Sequence, residues 1–203
     1  RVAADAVAER LGDLPLALAQ AAATAYNEDW TLAQYLSRLD RYSSAQVIYA
    51  VPGDSYAINV SKALRMAVDL ALSRLKERPR DTARRQLGAL AVLAQSGVPT
   101  RWLDPQMEGD KAGEDGNADK AGKGRRARDV AVKEAHRALT TLLNTSVVQQ
   151  SANGGMTMLH RLQAQVLREN WNEDEHAEAF GAAADLLNRV KVDSLPRKNA
   201  DGR

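Results

Sequence analysis

Residues 146–160 read SVVQQSANGGMTMLH. Val147 to Gln150 and Met156 to Leu159 are two short runs of strand character. Ser151-Ala152-Asn153-Gly154-Gly155 between them supplies residues that tolerate positive φ in a hairpin turn. Helical periods surround this hairpin. Val60, Leu64, Ala67 or Val68, Ala71 and Leu75 recur at intervals of three or four, with Leu72 widening the stripe. Pro79 stops that helix or starts the next. Leu87, Leu90, Ala91 and Leu93 or Ala94 form a second stripe over Asp81 to Gln95, and Val132, Ala135, Leu139, Leu142 and Leu143 a third from about Arg125 to Asn144.

Three helices followed by a two-stranded hairpin is the order of a winged-helix unit, expected over about residues 56–160. Gly97, Pro99 and Trp102-Leu103 predict a short turn that drops an aromatic onto its core. Residues 105–124, PQMEGDKAGEDGNADKAGKG, hold one large apolar side chain, Met107, and read as a flexible insertion that cannot repay the entropy of ordering itself. Downstream, His160 to Glu169 is helical. Asp174 to Val190 forms a last helix with Ala179, Phe180, Ala183, Leu186, Leu187 and Val190 inward, and the tail SLPRKNADGR is loose.

Upstream, Val2 with Ala6, and Ala3 with Val7 and Leu11, give one apolar stripe, broken by Gly12 and Asp13. Leu14 and Pro15 open a second helix to about Tyr26, with Asp13 as its expected cap and the proline at an early position where its missing N–H costs nothing. Asn27, Glu28 and Asp29 end it. Thr31 and Gln34 have capping-box spacing for a third helix through about Arg41, whose buried face is Leu32, Tyr35, Leu36 and Leu39. These helices form a small bundle. Residues 43–55, with Pro52-Gly53-Asp54, connect it onward. The expected division is a helical bundle over 1–54, the winged-helix unit with its insertion over 55–170, and a helix with a loose tail over 171–203.

Composition agrees with a mostly α fold. The 203 residues are 44% apolar, but the apolar share leans on Ala and Leu, with one Phe. The absence of Cys excludes disulfides, thiolate metal sites and a cysteine nucleophile, and favours a reducing compartment. The net charge is +2, and basic residues are spread along the chain, so bulk electrostatics do not announce a nucleic-acid binder. No apolar run approaches the roughly 20 residues needed to cross a bilayer. The start, RVAADAVAER, lacks the apolar core of a signal peptide and an initiator Met, so the chain reads as an excised cytoplasmic fragment.

Two motifs carry a functional expectation. VAERLGDLPLALAQAAA, followed by TLAQYLSRL, resembles the first helical domain of NB-ARC ATPases, and more narrowly the actinobacterial STAND-class regulators that end in tetratricopeptide-like repeats. MTMLHRLQAQVLRE resembles the end of their winged-helix domain. The resemblance covers roughly residues 2–170. It implies that Pro15 lies beside the adenine of a bound ADP or ATP, with Leu14 and Leu16 packing around it. It implies too that His160 contacts the β-phosphate of ADP and helps to hold a closed resting state. Arg161 stands where the family has Asp, and Asp13 where it has the first Gly of GLPLAL.

The family's phosphate loop, GxxxxGK followed by Ser or Thr, is absent from these residues, as is its acidic magnesium-binding strand. The expectation is therefore a non-enzymatic, nucleotide-sensing switch segment. Its partners would be an N-terminal P-loop domain and a C-terminal repeat domain, with self-association of the activated parent. No membrane partner and no tightly bound nucleotide are expected for the segment alone. The alternatives are a winged-helix DNA-binding regulator and a structural, protein-interaction module.

For DNA binding the candidate contacts are Arg126, Lys133 and Arg137, which share a side of the third winged-helix helix. Asp129 and Glu134 intrude on or near that side and would repel phosphate, which weighs against nucleic acid. His136 and His176 form no zinc spacing with His160 and read as surface or packing residues. Trp30, Trp102 and Trp171 lie too far apart for an aromatic patch and are expected to seal domain edges. The run Asn172 to Glu175 reads as a capping and solvation device.

Overall fold

The computed structural model describes residues 1–42, 55–93, 96–104 and 118–189. Within them the chain forms α1 (Val2–Arg10), α2 (Pro15–Asn27), α3 (Leu32–Arg41), α4 (Ser55–Ser73), α5 (Glu77–Val92), β1 (Val98–Pro99), α6 (Thr100–Leu103), α7 (Ala118–Asn144), β2 (Gln149–Gln150), β3 (Met156–Met158), α8 (Arg161–Glu169) and α9 (Glu173–Arg189). The fold is mostly helical, with a small antiparallel sheet of order β1-β3-β2. The expected connection at 43–54, most of the insertion and the tail from Val190 lie outside the described residues.

Among the described residues, two hydrophobic clusters hold the elements together. The first collects Val7, Leu11, Ala17, Ala21, Tyr35 and Leu39 from the three N-terminal helices and closes them on Val60, Leu64 and Met66 of α4 and Val166 of α8. The second gathers Val68 and Ala71 of α4 and Leu75 just after it with Leu87 and Leu90 of α5, Leu139 and Leu142 of α7, Leu167 of α8, and Ala183 and Leu186 of α9. Successive turns of α4 thus feed both clusters. A fully buried Leu contributes about 1.5–3 kcal/mol, so this helix is the principal tie between the bundle and the C-terminal helices.

Local signals explain most boundaries. Thr31 caps α3 with the expected reciprocal box: its Oγ1 accepts from the Gln34 N–H at 3.2 Å, and its own N–H donates to Gln34 Oε1 at 2.8 Å. Asn172 and Glu175 make the equivalent box before α9, each bond 2.9 Å. Helices α1, α2 and α7 end in Schellman turns with Gly12, Asp29 and Ser146 at positive φ. In the first, the Asp13 N–H reaches the Ala8 carbonyl and the Gly12 N–H reaches Glu9.

That turn corrects one expectation. Asp13 does not cap α2; it sits at φ 52°, and Leu14 occupies the cap position without a side-chain bond. Closing the preceding helix takes precedence over opening the next.

The sheet has a third strand where the sequence predicts a turn. Val98 pairs with Thr157 and Pro99 with Met156, while Gln149 and Gln150 pair with Met158 and Thr157. Two residues are too few to show a period, and Pro99 fits because an edge strand tolerates a missing donor. Gly97 leads in at φ 91°, and a Cβ there would lie 2.5 Å from Met158 Cγ and 2.6 Å from the Thr157 carbonyl oxygen.

Three further expectations are revised. Helix α7 begins at Ala118, seven residues before the expected Arg125, so residues 118–124 belong to a helix and not to the insertion. Once a nucleus exists, each added residue gains a backbone bond, and local composition is a weak brake. Helix α5 begins at Glu77, with Pro79 inside its first turn. On α9, Ala179, Ala183 and Leu186 are buried as expected, but Phe180 is 59% and Leu187 46% exposed, and Ala182 takes the inward place. A wide apolar stripe cannot be buried whole when it packs chiefly on α5, and Gly88 of α5 lets the backbone of Ala179 approach closely. Val2, at 85% exposed, likewise lies off the core.

Candidate functional site

Pro15 is exposed in the first turn of α2, between Leu14 and Leu16, which are partly buried against the first hydrophobic cluster. His160 is exposed and caps α8 immediately after β3 and Leu159. Its Nδ1 accepts a hydrogen bond from the Leu162 N–H at 3.2 Å. An accepting Nδ1 carries no proton, so a neutral ring carries its proton on Nε2 and can donate from that nitrogen. Leu162, in the first turn of α8, packs on the same cluster as Leu14 and Leu16. Apolar neighbours of both candidate positions therefore pack on one shared core, to which α4 contributes Val60, Leu64 and Met66.

The bundle is also tied to the winged-helix part by polar bonds. The Gln20 amide donates to the Thr145 carbonyl at 2.8 Å, and the Asn27 amide to Asn144 at 3.1 Å. Both satisfy carbonyls at the C-terminus of α7. Arg74 Nη2 reaches Glu28 at 2.8 Å and also donates to the Asn27 carbonyl. Within the winged-helix part, the buried Gln163 amide of α8 donates to the Leu64 carbonyl of α4 at 3.1 Å.

Two tyrosines of the bundle are electrostatically perturbed. Tyr35 is fully buried, and burial pushes its phenol well above the usual range. Tyr42 is raised by burial and then by the Asp69 carboxylate, to which its hydroxyl donates.

Other sites are separate. His136 Nδ1 lies 2.6 Å from a carboxylate oxygen of buried Asp104, tying α7 to the end of α6. These residues stand 32 apart in sequence, and no local pattern signals the pair. The His176 ring meets Trp171 edge-on at 5.3 Å. Trp102 and Trp171 pack on the second cluster, and Trp30 on the first beneath the Arg38 guanidinium at 4.1 Å. A cleft of about 120 Å³ opens between α4, α5, α8 and α9, lined by Leu72, Arg84, Arg85, Trp171 and Glu178 among others; neither Pro15 nor His160 lines it. Among the described residues no group of His, Asp and Glu has metal-site geometry, and no helix is long and apolar enough to cross a membrane.

Arg126, Lys133 and Arg137 are exposed on α7. Glu134 leaves their side: its carboxylate lies 4.0 Å from Arg78 of α5, with the side chain 25% exposed. Comparison with protein-family models, curated proteins and solved structures gave no match.

Proposed function

We propose that this chain is the nucleotide-sensing regulatory portion of a STAND or NB-ARC-type NTPase, bordering an ADP or ATP site whose phosphate loop belongs to another domain of the parent protein. One observation carries this: exposed Pro15 and exposed His160 open two helices whose next apolar residues share a single core.

The chemistry of both positions suits the nucleotide. A proline ring covers an apolar adenine face without competing for hydrogen bonds, and Leu14 and Leu16 on either side of it are anchored on the first cluster. His160 can offer Nε2–H to a phosphate oxygen beside the N-terminus of α8, where the helix dipole favours negative charge. Asp13 supports the assignment as well. It stands where the resembled motif has glycine and holds the left-handed conformation, which glycine would take without strain and which Asp is among the few side chains to tolerate.

A nucleotide that touches both elements would bias their arrangement only through contacts that differ between states. The relevant measurement is calorimetric titration of ADP into a longer polypeptide carrying the phosphate loop together with this chain. His160→Ala should weaken ADP by about tenfold or more, the cost of one charge-assisted hydrogen bond. Equal affinity of wild type and His160→Ala would refute the role of the imidazole.

A further inference from the structure

Helix α7 is the third helix of the winged-helix unit, with β2, the turn and β3 directly after it. Its core side is Ala135, Ala138, Leu139 and Leu142. On the opposite side Arg126, Val130, Lys133 and Arg137 succeed one another at intervals of four, three and four, which keeps them in one line along a 3.6-residue helix. All four are exposed, Val130 at 45%. Among the described residues the three cations enter no ion pair.

Of the acids on this helix segment, Glu134 is directed to Arg78 of α5, and Asp129 is exposed on one flank. His136, on the same flank, is held by Asp104. The line is therefore a continuous positive ridge of roughly 16 Å, at 1.5 Å per residue. It also lies on the helix that winged-helix readers place in the major groove, beside a turn whose strand residues Gln149 and Gln150 are exposed.

We propose that this ridge is a docking surface for duplex DNA, with Arg126, Lys133 and Arg137 on phosphates and Val130 toward the groove floor. A helix about 10–12 Å across fits a major groove about 12 Å wide, and an apolar side chain there can meet thymine methyl groups. Binding is mostly electrostatic and weakly sequence-dependent, because Arg126, Lys133 and Arg137 are assigned to phosphates, whose contacts carry no sequence information. This inference is independent of the nucleotide proposal.

The test is fluorescence anisotropy of a labelled 20-base-pair duplex titrated with the 203-residue chain at 50 and 200 mM salt. Three phosphate contacts predict a slope of log K against log salt of about −2.7, or roughly 40-fold weaker binding at the higher salt. The variant R126E/K133E/R137E should bind at least about tenfold more weakly than wild type at 50 mM. R41E/K76E/R84E, with the same change in net charge, should bind appreciably better than the ridge variant.

Circular dichroism checks folding of each variant. Should the reversal disturb the helix, R126Q/K133Q/R137Q must still flatten the salt slope. Absence of duplex binding by wild type at 50 mM salt overturns the proposal. So does equal loss in the control variant, or capture of anionic phosphatidylserine vesicles in preference to duplex.

Discussion

The side-chain amide of Gln20 donates to the carbonyl of Thr145 at 2.8 Å, across 125 residues of sequence, and both residues are buried. An α2 side chain thereby satisfies a carbonyl that α7 leaves open at its C-terminus.

Because the Thr145 carbonyl is out of water, Gln20→Ala should destabilise the chain by about 1–3 kcal/mol, beyond any loss of packing. Asn27→Ala, which removes a more exposed bond to the neighbouring carbonyl of Asn144, should cost about 1 kcal/mol or less. Urea denaturation of the two variants gives the comparison. An equal effect would mean that burial of the first bond is energetically irrelevant.

Gly88 allows α5 and α9 to touch. A Cβ there would lie 3.0 Å from both Cα and Cβ of Ala179. Gly88→Val should therefore cost about 1–3 kcal/mol by overpacking, and Ala179→Gly in the same chain should recover part of the loss. Thermal unfolding of the single and double variants measures this, and simple additivity would count against the contact.

Tyr35 makes stability depend on alkaline pH. Its hydroxyl is buried, and among the described residues it has no hydrogen-bond partner. Burial raises the folded-state pKa above the ordinary value of 10.0. Below that pH both states keep the proton and the group contributes no slope. Above it the unfolded chain releases the proton while the folded chain resists, so stability falls as pH rises. Tyr42 adds to the same trend, since it is raised as well. Tyr35→Phe should change stability by less than about 1 kcal/mol at pH 7 and flatten the decline above pH 10. Urea titrations between pH 8 and 11 would show it, and an unchanged decline would assign the effect elsewhere.

Much of the fold is written in local patterns. The capping pair Thr31 and Gln34, the stripe from Val60 to Leu75 and the turn at Gly154 act through neighbours within a few residues, so sequence spacing finds them. What depends on a distant partner is not visible there. Val98 becomes a strand only because Thr157 lies beside it, and Phe180 stays exposed because α5 can cover only one side of α9. The same division holds for the candidate sites. Pro15 and His160 are legible as helix starts, whereas the shared core behind them and the removal of Glu134 from the basic ridge depend on packing between helices. The pair His136 and Asp104 belongs to the second kind.

The central claim, that Pro15 lies at the adenine end of a nucleotide site, is tested most directly by photolabelling with 8-azido-ADP in the longer polypeptide that carries a phosphate loop. Tryptic mapping should place label on the peptide from Leu11 to Arg38, which contains Leu14, Pro15 and Leu16, and excess ADP should prevent it. Specific, ADP-protected labelling confined to other peptides would contradict the account.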